Sequence, residues 1–247
     1  TRVAGPSIAG AAIGLFGTGE AFLLQAAAVL AALVLIATAA IPTVKGSAAV
    51  PVRSAFDGMR LIVRRPDLQA LFLLASIPTF FAFPYMSFLS VFARDVLRIG
   101  PEGLGLLLAA SGTGAVAGSL LVASGRQATG AGQAIVVRTV IYGLIIVGVA
   151  ASRSVYITLP LLVFAGLLGA NFMSANNALL QLRITDEMRG RVMGAYMLTW
   201  GLMPLGAMPM GLLAGAVGAS IAVASGAALA SLLVAIVGLT AKGLRDL

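Results

Sequence analysis

RITDEMRGR, residues 183–191, places five charges (Arg183, Asp186, Glu187, Arg189 and Arg191) in nine positions between two long apolar runs, 156–180 and 192–215. Elsewhere the chain is sparing with charge: of 247 residues only 10% are charged and 60% are hydrophobic, and the mean hydropathy is +1.06. Soluble domains carry about 45–50% apolar residues, so the flanking runs have to be matched to another solvent. A hydrocarbon core of about 30 Å is crossed by about 20 apolar residues in a helix. Both runs have that length, and the charged stretch between them is a loop at the membrane rim.

Working outward from this loop, runs of spanning length recur at 21–41, 69–92, 104–124, 133–151 and 217–241. Arg138, near one end of its run, is the main charge inside them. The expectation is an all-α polytopic membrane protein. An earlier apolar run, 3–17, reaches only about 22 Å at 1.5 Å per residue. With Thr1 as the first residue, it reads as a helix cut in its middle, and the chain as a fragment. No signal-peptide pattern opens the chain.

Charge orients the spans. If the gap 42–68 is cytoplasmic, alternation puts Lys45, Arg53, Arg60, Arg64, Arg65, Arg126, Arg183, Arg189, Arg191, Lys242 and Arg245 inside. Only Arg94, Arg98 and Arg153 then fall outside, the asymmetry of the positive-inside rule. This predicts a multi-pass protein of the cell (inner) membrane with a cytoplasmic C-terminus. The net charge of +8 is thereby spent in loops, not gathered on a solvated face, which argues against nucleic acid. The absence of Cys and His removes thiol chemistry, zinc sites and the usual acid–base residue, so no enzyme, cofactor or metal centre is expected.

Within the gap, Ser54–Leu68 reads as an amphipathic segment with Phe56, Met59, Ile62 and Val63 on one face and Asp57, Arg60 and Arg64 on the other. Such a segment would lie along the membrane surface. Six spans follow it, as in transporters built from six-span halves.

Three stretches then carry a resemblance. VAGPSIAG, with Gly5, Pro6 and Gly10, resembles the fifth-span antiporter motif of the major facilitator superfamily, although Ala9 stands where a second glycine is common. RRPDLQALFLL and DEMRGRVMGAY are similar to the entry to the seventh span and the loop between spans ten and eleven of bacterial exporters of the enterobactin-exporter and macrolide-efflux type. The resemblance implies about eight transmembrane helices present of twelve. Residues 1–41 would close the N-terminal six-helix half, 42–68 would be the central loop, and 69–247 the C-terminal half. The missing N-terminal four helices would be a partner. The second copy of the family's gate motif falls on GSLLVASGR, where Gly118, Gly125 and Arg126 match but Val122 and Ala123 replace an Asp–Arg pair. With Asp186, Glu187, Arg189, Gly190 and Arg191, these residues are candidates for the cytoplasmic gate.

Physical reasons stand beside that likeness. Proline kinks a helix and removes a donor, while glycines four apart let backbones approach. Gly114/Gly118 and Gly211/Gly215 show that spacing and are read as packing pairs. Asp186 and Glu187 are expected just before a helix starting near Met188, where carboxylates suit the positive end of its dipole.

Polar and aromatic groups inside spans are costly in lipid and face cavities. Asn171, Ser174 and Asn177, with Gln181 beyond, share a stripe about 120° wide on a helix. Asn176 points elsewhere, as interhelical glue. Phe81, Tyr85 and Phe88 share a stripe near Pro78 and Pro84, and Tyr196, Thr199 and Trp200 another before Pro204. These nine residues form the candidate substrate pathway, suited to a small amphipathic substrate. The resemblance implies a drug or siderophore exporter that alternates access and exchanges protons. None of the eight acids lies deep in a span, and the resemblance implies that the coupling carboxylate is in the missing helices. The competing readings are a non-transporting truncated protein or scaffold, and a passive facilitator.

Overall fold

In the computed structural model of the protein, residues 18–38, 52–123 and 131–241 are described, and among them no strand occurs. Two helices precede a six-span bundle: α1, Thr18–Thr38, and α2, Val52–Arg64. The first span, Pro66–Val96, is not one rod. It comprises α3 (Pro66–Phe81), a turn at 82–84, α4 (Tyr85–Val91) and a π-helical turn, Phe92–Val96. Pro78 and Pro84 supply the break, because neither can donate the backbone bond that a straight helix needs. The second, third and fourth spans are α5 (Gly100–Ala123), α6 (Ala131–Ala151) and α7 (Val155–Leu182). The fifth joins α8 (Asp186–Met197) to α9 (Leu202–Val217) through a 3₁₀ turn, Leu198–Gly201. The sixth is α10 (Ala219–Thr240). Gly218 makes the turn before it at φ +91°, a left-handed conformation in which a side chain would be strained.

All six are long and apolar enough to cross a membrane. Connections are short, so successive spans run antiparallel. One end of the bundle gathers Arg65, Arg183 and Arg189, and the other Arg94 and Arg153. Lipid offers apolar helices no hydrophobic reason to associate, so close backbone packing must do it. The tightest pair is α5 with α7. A side chain at Gly114 would meet the Val163 carbonyl, one at Gly118 the Leu167 carbonyl, and one at Gly166 the Ser111 carbonyl. The Asn171 side-chain amide donates to the Gly118 carbonyl at 3.2 Å and ties the same seam. Across the bundle, Ser231 Oγ on α10 donates to the Val140 carbonyl of α6 at 3.2 Å.

Some expectations change. Gly211 and Gly215 are exposed, with nothing among the described residues within 4 Å of an added Cβ, so they are not a packing pair within this bundle. On that side a side chain at Gly206 would meet the Phe80 carbonyl, and one at Gly226 the Phe81 carbonyl, at the broken end of α3. Helix α2 packs on protein as well as offering a surface face. A side chain at Gly58 would meet the Arg191 carbonyl, and Ile62 is buried, whereas Val63 is 62% exposed and stands off the packed face. The Phe56 side chain lies outside the described residues. Helix α8 begins at Asp186, so both acids belong to its first turn instead of preceding it.

Described residues of α1 from Leu23 to Thr38 are all exposed. The run 3–17 lies outside the described residues. So do Gly5, Pro6, Gly10, Gly125 and Arg126.

Candidate functional site: a pocket between the fourth and fifth spans

Helix α7 carries Pro160 near its start, and the polar stripe beyond it meets different neighbours along its length. Toward the middle of the bundle, Asn171 lies under α5 and is buried. One turn further, Ser174, Asn177 and Gln181 face α8 and the turn after it, and line a pocket of about 690 Å³. Tyr196 and Trp200 form the opposite wall, Met173 the inner end and Arg189 the charged rim. Thus Ser174, Asn177, Tyr196 and Trp200 are brought together. Asn171 and Thr199 are not among the lining residues. Thr199 is buried, with its hydroxyl donating to the Tyr196 carbonyl at 2.7 Å.

Asn176 explains how the wall is held. Its side-chain amide donates to the Leu71 carbonyl of α3 at 3.1 Å and to the Tyr196 hydroxyl at 3.3 Å. One fully buried amide therefore links α3, α7 and α8 and fixes the Tyr196 ring. Gln181 donates to Asn177 Oδ1 one turn below, which pre-positions both amides on the pocket side.

The rim joins the two charged motifs of the sequence. Arg65 Nη1 donates to the Arg183 carbonyl at 3.0 Å, while its Nε reaches Asp67 Oδ1 at 3.1 Å. Arg189 pairs with Asp186 one turn away at 2.8 Å, and both side chains are largely exposed. Such exposed pairs contribute about 0–1 kcal/mol, so this one can be exchanged for another anion at little cost. Glu187, Gly190 and Arg191 are exposed on α8 outside the pocket wall.

The aromatic stripe of the first span is divided by the break at 82–84. Phe81 lines an apolar groove with Gly206 and Gly226 on the outer side. Tyr85, beyond the break, lines a smaller cavity inside the bundle, and Phe88 is half-buried against the core. A stripe drawn on an unbroken helix joined residues that the turn separates. Phe83, inside that turn, went unremarked in the sequence, yet it contacts Trp200 at a ring-centroid distance of 6.3 Å and Tyr142 at 5.5 Å. Tyr142 was missed as well. Its signal is a lone phenol at the centre of an aliphatic span.

Taken together, the site can hold an elongated, partly aromatic molecule against a ring wall, with amides and a guanidinium to pair its polar end. The family model described as transmembrane secretion effector matches residues 1–245. No curated protein and no solved structure matches the chain. The chain belongs to this major-facilitator family and is a multi-pass membrane transporter protein.

Proposed function

We propose that the protein is a secondary exporter of small amphipathic molecules, of the drug- or siderophore-efflux kind, and that the pocket between α7 and α8 is its part of the transport path. The carrying observation is the convergence of Ser174, Asn177, Gln181, Tyr196 and Trp200 on one pocket about 690 Å³ in size, open toward the charged rim. Polar groups at membrane depth are expensive, and lining a water-filled passage is what makes them tolerable. The six spans act as the C-terminal half of a two-half transporter, with α2 as the connector between halves. In the enterobactin-exporter and macrolide-efflux likeness, the halves rock about the site and exchange substrate for protons. The rim contacts Arg65–Arg183 and Arg189–Asp186 are the elements that such rocking would make and break. The charged rim is the cytoplasmic side of the cell membrane, by the excess of Arg there.

The test is efflux from cells expressing the gene. A preloaded amphipathic dye should leave faster than from empty-vector cells, and Asn177→Leu should remove the difference with protein level unchanged. Unaltered efflux in that variant would remove the pocket from the path. Asn171→Leu is a poor test, because losing its bond to Gly118 also loosens the α5–α7 seam.

A further inference from the structure

The Tyr142 ring, on α6, packs against α7 at a notch. Gly169 has no side chain there, and a Cβ would stand 3.2 Å from Tyr142 Cε2. The ring is 1% exposed, and its hydroxyl is buried with no hydrogen-bond partner among the described residues. A buried, unmatched phenol is costly where lipid surrounds the bundle. It borders a cavity of about 110 Å³ that also receives the Tyr85 hydroxyl and Ser111 Oγ, which stand 3.4 Å apart. Met173 lines both this cavity and the larger pocket, so the two are adjoining compartments. Rings connect them: Trp200 to Phe83 at 6.3 Å, Phe83 to Tyr142 at 5.5 Å, and Tyr142 to Phe172 at 5.4 Å. Among the residues lining either compartment there is no carboxylate, and the one cation is Arg189.

We propose that the cavity bounded by Tyr85, Ser111 and Tyr142 is an inner subsite that receives the acceptor oxygen of a planar aromatic substrate, neutral or anionic, whose remainder lies in the outer pocket. This rests on the export reading of the outer pocket. The Tyr142 hydroxyl donates to the substrate oxygen, the rings of Phe83 and Trp200 flank its aromatic body, and Met173 bends aside to admit it. Methionine suits that position because its unbranched thioether adapts to varied shapes. Cations are disfavoured because nothing in either compartment offsets their charge.

The test is direct binding to the purified chain in lipid nanodiscs, using tritiated 9-fluorenone and tritiated fluorene, which differ in one carbonyl oxygen. The wild type should bind fluorenone more tightly. Tyr142→Phe keeps the ring in the Gly169 notch and removes only the hydroxyl. It should weaken fluorenone roughly tenfold, the size of one buried hydrogen bond, and leave fluorene unchanged. The variant's melting temperature should stay level or rise. Gly169→Ala, at the cavity wall against the ring, should displace the hydroxyl and weaken fluorenone as well. Equal binding of the two probes by the wild type would overturn the subsite, as would equal weakening of both by Tyr142→Phe. Either result would mean that the hydroxyl serves water only. The export reading is judged separately, by efflux in Asn177→Leu cells, so either idea can fail alone.

Discussion

Helix α7 has two halves that use polar and small residues in opposite ways. Its first half meets α5 through Gly166 and the carbonyls of Val163 and Leu167, with Asn171 spending its amide on the Gly118 carbonyl. Its last three turns meet α8 across a pocket, with Ser174, Asn177 and Gln181 turned toward space instead of backbone. Both contact regions carry asparagine, Asn171 at the end of the first and Asn177 in the second. What differs is the neighbour: a glycine-lined helix admits its partner's carbonyl and closes the seam, while Tyr196 and Trp200 hold theirs apart. A polar residue in a span is therefore a packing device or a pathway residue according to what stands opposite it.

The comparison can be broken most sharply at the seam. Gly118→Leu would drive a side chain into the Leu167 carbonyl, backbone that cannot step aside. Overpacking of that kind costs about 3 kcal/mol or more, a fall of about 10 °C in melting temperature for a chain of this size. Gly211→Leu, at an exposed position with nothing among the described residues within 4 Å of an added Cβ, should melt within about 1 °C of the wild type. Thermal unfolding followed by size-exclusion fluorescence separates the two, and equal losses would mean that the α5–α7 seam is not special.

Neighbouring asparagines sharpen it further. Asn176→Leu strands the Leu71 carbonyl and the Tyr196 hydroxyl, and should cost about 1–2 kcal/mol of stability. Asn177→Leu should leave the melting temperature within about 1 °C and lower efflux at least about tenfold, since the residue contacts the passage and not a neighbouring span. Efflux lost through instability in both would erase the distinction. The smallest effect belongs to the rim. Asp186→Ala frees Arg189 from a surface pair and should change stability by less than about 1 kcal/mol. It should raise efflux of anionic dyes modestly, about twofold, an advantage that disappears in high salt as the charges are screened.

Much of this architecture was legible in the sequence because the bilayer imposes a length: six of the seven runs of spanning length lie over the six spans, and the seventh, 21–41, overlaps α1. Periodicity also placed Ser174, Asn177 and Gln181 on one side of α7. It misjudged what a helical wheel does not contain. Asn171 sits at the opposite edge of that stripe, about 120° around the helix from Asn177, and at the height where Gly118 approaches, so its amide has another use. Gly211 and Gly215 have the spacing of a packing pair and face outward, because spacing says nothing about which face meets a partner. Pro78 and Pro84 announced a break, yet not that Phe83 would turn inward to touch Trp200 and Tyr142 while Phe81 turned out. Tyr142 became meaningful only once Gly169 was seen across from it.

The most direct measurement uses the chain's lack of cysteine. Asn176→Cys and Asn177→Cys, made separately, differ by one position and by the two roles assigned to α7. In inside-out membrane vesicles, which expose the charged rim to the medium, a small, water-soluble methanethiosulfonate should modify Asn177→Cys rapidly, with transport lost as it is modified. Asn176→Cys should stay unreactive while the protein remains folded. Equal reactivity at the two positions, or full transport by completely modified Asn177→Cys, would contradict the assignment of this pocket to the transport path.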